Sequence, residues 1–170
     1  MIKDQPIERR CIAVLVDNEP GVLARVIGLF SGRGYNIESL TVTEVDPQKH
    51  TSRITIVTQG TAQVIEQIKT QLDRLVPVQK VVDMTEEHDA IERELALVKV
   101  KGSGERRVEA LRLSDAFRAS VIDTTHQSFV FELTGSPSKL DAFINLMRPL
   151  GLVDVSRTGV VAIARGSEGM

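Results

Sequence analysis

The residues best placed to hold a ligand lie together in DNEPGVLAR, from Asp17 to Arg25. Asn18 carries an amide that both donates and accepts. Pro20 and Gly21 have turn chemistry, and an apolar helical pattern begins directly behind them. The first N–H groups of a helix have no partner inside it, and the helix dipole adds partial positive charge there. The amides around Gly21, Val22 and Leu23 can therefore receive a carboxylate, with no Cβ on Gly21 to obstruct it. The Asn18 oxygen suits an ammonium group, and its NH₂ suits a carboxylate oxygen. A free α-amino acid carries both groups. The same residues allow a plainer reading, in which Asn18 and Pro20 only shape a tight turn and cap. Glu19 reads as solvated, and Arg25 fits either a surface pair or a ligand contact.

Other chemistries find less support. A metal site needs clustered ligands, and His50, His88 and His126 stand far apart in three different expected loops. They read as surface residues. No G-x-S-x-G elbow and no G-x-x-x-x-G-K-[ST] phosphate loop occur. The GRG at Gly32 and the GSG at Gly102 are too short for a dinucleotide fingerprint and read as a helix stop and a turn. Phe129 and Phe131 alternate in SFVFEL, so both point the same way. They lack the basic-glycine-aromatic setting of an RNA-binding sheet and read as core.

The 170 residues allow one ordinary domain or two small ones, and 42% are apolar, enough to pack a core. A net charge of −2, with both signs mixed along the chain, argues against a nucleic-acid surface. Cys11 is the one cysteine, set in an apolar run, so no internal disulfide can form and the thiol reads as structural. MIKDQPIERR lacks the apolar stretch of a signal peptide. No apolar run approaches the about 20 residues of a membrane span. A cytoplasmic protein is expected.

These residues need a scaffold, and the pattern supplies one. Ile12–Val16 reads as a buried strand. Val22, Leu23, Val26, Ile27, Leu29 and Phe30 share a helical face, ended by Gly32 and Gly34. Strands over Asn36–Val45 and Ser52–Gln59 flank the turn Asp46-Pro47-Gln48-Lys49. A helix with Ile65, Ile68, Leu72 and Leu75 inward and a strand over Val78–Met84 complete a βαββαβ, ferredoxin-like unit with both helices on one sheet face. The order recurs. It runs through a strand over Leu95–Gly102, a helix over Arg106–Arg118 with Val108, Leu111 and Ala116 at loosely helical spacing, and a hairpin around His126-Gln127. A helix with Leu140, Phe143, Ile144 and Met147 on one face and a single closing strand, LVDVSRTGVVAIAR, end it. The fold class is α+β with two tandem ferredoxin-like domains, 1–85 and 86–170, joined by the polar stretch Thr85–Glu92.

DNEPGVLARVIGLFSGRGYNIESLTV, from Asp17 to Val42, resembles the ligand segment of an ACT domain. More closely, it resembles the regulatory (small) subunit of acetohydroxyacid synthase, also called acetolactate synthase. ERELALVKV, KLDAFINLMRP and RTGVVAIARG are similar to further stretches of that family, so the resemblance spans nearly the whole chain. It implies a non-catalytic subunit without cofactors of its own. The expected partner is a large catalytic subunit holding thiamine diphosphate, Mg²⁺ and FAD, on the route to valine, leucine and isoleucine. It also implies activation of that subunit, feedback inhibition by valine, and a homodimer through the ACT domains. The resemblance further implies an effector site between two copies, with Asn18, Gly21, Val22 and Leu23 matching one side and Asn36 and Ile37 the other. The alternative expectation is a stand-alone ACT-type amino-acid sensor that regulates another enzyme.

Overall fold

The computed structural model describes residues 6–86 and 89–170; His88 and residues 1–5 of the amino-terminal stretch lie outside them. The chain forms two compact units, Met1–Ile91 with Val160–Met170, and Glu92–Gly159.

The first unit contains β1 (Glu8–Asp17), α1 (Val22–Arg33), β2 (Ile37–Asp46), β3 (Thr51–Gly60), α2 (Ala62–Asp73) and β4 (Val78–Asp83). Its antiparallel sheet has the order β2-β3-β1-β4, which leaves β2 on an edge. Successive strand residues point to opposite faces. Ile12, Val14 and Val16 of β1 and Ile54 and Ile56 of β3 therefore pack together against Val22, Val26 and Phe30 of α1 and Ile65, Ile68 and Leu72 of α2. Cys11 and Ala13 alternate with them and join a separate cluster on the far face. Leu23, expected on the buried face of α1, is 38% exposed. It sits about 100° round the helix from buried Val22. The β2–β3 hairpin turns where expected, with Asp46 Oδ1 accepting the Gln48 and Lys49 N–H groups at 3.1 and 3.2 Å.

The second unit repeats the order. It has β5 (Ala90–Lys101), α3 (Gly104–Ala116), β6 (Ser120–Thr124), β7 (Ser128–Gly135), α4 (Pro137–Met147), a 3₁₀ turn (Arg148–Leu150) and β8 (Leu152–Arg157). Four strands run β6-β7-β5-β8. Val98, Val100, Phe129, Phe131 and Leu133 pack with Leu140, Phe143, Ile144 and Met147 of α4. Phe129 and Phe131 are thus core residues.

Three expectations need correction. β5 begins at Ala90, inside the stretch read as a polar joint. Helix α3 buries Ala110 and Ser114, whereas Val108 is 64% exposed and Leu111 36%. Leu113 and Phe117 pack against the same core, so the inward face runs through Ala110, Leu113, Ser114 and Phe117. The single closing strand is two strands, β8 and β9 (Val161–Ala164), separated at Gly159, which takes φ +89°. The chain beyond that glycine groups with the first unit rather than with the rest of 86–170. β9 pairs with β5. Val160 and Ala162 are buried with Cys11, Ala13, Val57, Val82 and Met84. Among the described residues no helix is long and apolar enough to cross a membrane.

Candidate functional site

Glu19-Pro20-Gly21-Val22 is a turn closed by the Val22 N–H donating to the Glu19 carbonyl at 3.3 Å. Gly21 has φ +85° and ψ −3°. Proline second and a positive-φ glycine third are what a type II turn requires. A Cβ on Gly21 would meet nothing within 4 Å, so glycine is needed for its backbone angle and not for room inside the chain. The turn feeds α1, whose first amide-to-carbonyl bond runs from Arg25 N to Gly21 O at 3.1 Å.

No side chain caps this helix start, although Thr61 caps α2 and Ser136 caps α4 by accepting the Val64 and Lys139 amides. Among the described residues, the Leu23 and Ala24 N–H groups donate to no protein acceptor. This revises the sequence reading in two respects. The Val22 amide is used inside the turn, and the Val22 side chain is 4% exposed and belongs to the core. Ala24, passed over in the sequence because its side chain is inert, supplies a donor instead.

The Asn18 N–H donates to the His50 carbonyl at 2.7 Å, which ties the loop to the end of the β2–β3 hairpin. Asn18 Nδ2 donates to Glu44 Oε1 at 3.1 Å. Its NH₂ is therefore engaged with a carboxylate of the same chain, and Oδ1 is the group left to accept. Glu44, which no motif marked, adds negative charge beside it, with His50 Nδ1 at 3.9 Å. On the other flank Asp17 Oδ1 accepts Gln79 Nε2 at 2.5 Å. The arrangement pairs a donor-rich helix start with an acceptor-rich loop, the polarity a zwitterion requires. Among the described residues, no group of three or more His, Cys, Asp or Glu could hold a metal ion.

Asn36 and Ile37 lie elsewhere. Asp17 is paired with Thr51, and Thr51 with Asp46, so Asn18 and Glu44 share one end of the sheet. Ile37 is paired with Thr58, at the opposite end. The length of β2 separates the two ends by on the order of 30 Å. Asn36 is exposed, its carbonyl accepting Thr58 Oγ1 at 2.6 Å, while Ile37 packs at the margin of the core. One chain therefore joins Asn18, Gly21 and Leu23 but does not bring Asn36 and Ile37 to them.

Residues 12–80 match the family model of the AHAS small subunit-like ACT domain, and residues 93–166 match that of the small subunit of acetolactate synthase. The chain belongs to the regulatory small-subunit family of acetolactate synthase. It is 47% identical to the probable acetolactate synthase small subunit of Archaeoglobus fulgidus over 160 residues, 94% of this chain and 99% of that protein. It is 45% identical to the acetolactate synthase small subunit of Haemophilus influenzae, over 94% of this chain and 98% of that protein. The crystal structure of the acetolactate synthase small subunit from Thermotoga maritima superposes with a TM-score of 0.83 at 38% identity, covering 95% of this chain and 99% of that one. The Thermotoga maritima small subunit shares this α+β fold, and all three proteins match the chain over almost its full length.

Proposed function

We propose that this chain is a non-catalytic subunit that activates the large subunit of acetolactate synthase and makes it sensitive to valine. Thiamine diphosphate, Mg²⁺ and FAD belong, in this reading, to the large subunit. The observation that carries it is the separation of the two half-sites along the edge strand β2. An exposed edge can pair antiparallel with the same edge of a second copy. Such pairing sets the start of one β2 against the end of the other. Asn36 and Ile37 of a second copy then approach the Asn18 loop, and the site is complete only in the dimer.

Valine fits that seam by polarity. Its carboxylate takes the Leu23 and Ala24 amides at the positive end of the helix dipole. Its ammonium group takes Asn18 Oδ1 and the Glu44 carboxylate. Its branched side chain lies against Leu23, which is exposed enough to offer contact, and Ile37 of the other copy. A ligand that bridges two chains favours one packing of the dimer over another. That differential affinity is what lets an effector act on a distant enzyme.

The test is Asn18→Ala in holoenzyme reconstituted with the large subunit. Activation is expected to persist while the valine concentration for half inhibition rises at least about tenfold, equivalent to about 1.4 kcal/mol of binding. Inhibition identical to wild type would remove Asn18 from the site.

A further inference from the structure

The outer face of the first sheet is not left open: the carboxy-terminal strap lies on it. Beyond the packing of Val160 and Ala162, three side chains of the sheet bond to the main chain of the strap. Ser39 Oγ accepts the Val160 N–H at 2.8 Å, and Thr41 Oγ1 donates to the Val160 carbonyl at 3.2 Å. Arg53 Nη2 donates to the Ala162 carbonyl at 2.7 Å. Ser39 and Thr41 are on β2, the strand whose two ends carry the two half-sites, and Arg53 is paired with Thr43 of the same strand.

Arg53 is an uncomfortable group to spend on this contact. Its Nε is buried with no hydrogen-bond partner among the described residues. Desolvation by burial lowers its pKa from the ordinary arginine value. A half-buried cation that gives its one good hydrogen bond to a carbonyl of the strap recovers hydration when the strap leaves. The polar part of the contact therefore holds the strap less firmly than the apolar packing of Val160 and Ala162 beside it.

We propose that the strap Val160–Met170 is a latch on the effector strand, with Ser39, Thr41 and Arg53 as positioning residues, so that docking of the strap and effector affinity at β2 are coupled. The coupling works in both directions: whatever orders β2 tightens the strap, and release of the strap loosens β2. It rests on the reading of β2 as the strand that carries the valine half-sites.

The test is hydrogen exchange on the full chain, with and without saturating valine. It compares wild type, Arg53→Met and the pair Ser39→Ala with Thr41→Val. Exchange at Val161–Ala164 is expected to rise at least tenfold in both variants, with faster thiol labelling of Cys11, which the strap covers. In Arg53→Met, which removes no group of β2 itself, exchange in β2 is expected to rise at least threefold and valine affinity to fall at least fivefold. Valine should slow strap exchange in wild type. A strap equally protected in both variants overturns the latch. A strap set free while β2 exchange and valine affinity stay at wild-type values overturns the coupling. A wild type that binds no valine refutes the effector assignment alone, because the β2 exchange still decides whether strap and strand are linked.

Discussion

Gly21 joins the fold to the proposed site, and two substitutions there separate its backbone role from its steric one. Alanine at φ +85° places Cβ too near the following carbonyl, at a cost of about 1–2 kcal/mol. Alanine also narrows the unfolded ensemble, which returns about 0.4–1 kcal/mol. The chain adds no clash, since nothing lies within 4 Å of the new Cβ. Gly21→Ala should therefore destabilise the first unit by ~1 kcal/mol, a fall in Tm of about 4–8 °C for a unit of this size. Asparagine tolerates left-handed angles better than alanine, so Gly21→Asn should lose less. Valine affinity should rank the other way. In the proposed site the ligand arrives through the open space in front of Gly21, and asparagine fills more of that space than alanine. Calorimetric melting reads the first order, and isothermal titration with valine the second. Alanine melting with wild type, or asparagine melting below alanine, would refute the strained-turn argument. Asparagine binding valine as tightly as glycine does would refute the approach of the ligand.

Arg157 bonds Glu94 through both Nε and Nη2, at 2.8 and 2.7 Å, and Glu94 is 6% exposed. Arg157→Met leaves that carboxylate without its main partner, and urea unfolding should show a loss of about 3–5 kcal/mol, largely recovered by adding Glu94→Leu. The Glu94 bond raises the pKa of Arg157 above the ordinary arginine value, so its contribution is fully present below that ordinary value and is lost only as the pH climbs through the raised one. Titrating Arg157 therefore adds no slope to a stability profile between about pH 5 and 9, and a slope that disappears in Arg157→Met would contradict this. Thr61→Ala removes the α2 cap and should lower stability by about 1 kcal/mol, which Thr61→Ser largely restores. In the second unit, Leu140→Ala at a fully buried position should cost about 2–5 kcal/mol, whereas Val108→Ser should lie within about 0.5 kcal/mol of wild type. Equal losses at the two positions would restore Val108 to the core.

Much of this architecture was written locally. The continuous apolar run Ile12–Val16 states a buried strand and the helical spacing of Ile65, Ile68 and Leu72 states a face, and the structure buries both. Pro20-Gly21 states a turn type, because few residues reach that backbone angle. Periodicity was less informative where apolar residues fall on more than one side of a helix. Helix α3 packs through Ala110, Leu113, Ser114 and Phe117, while Val108 and Leu111, equally apolar, point outward. Glu44 and Ala24 were invisible for a related reason. One is a surface carboxylate until Asn18 is seen beside it, and the other contributes only its main chain.

The sequence alone therefore determined the two βαββαβ units, the turn that opens α1 and the family to which the chain belongs, because each is encoded in residues a few positions apart. Tertiary structure decided which amides remain unused, where Asn18 spends its NH₂, and that Asn18 stands at the opposite end of β2 from Asn36 and Ile37. It also decided that residues 160–164 pack on the face of the first unit's sheet, where Val160 meets Ser39 across 121 positions of chain. Such contacts depend on which surfaces remain to be covered once the local elements have formed, and no short stretch of sequence carries that information.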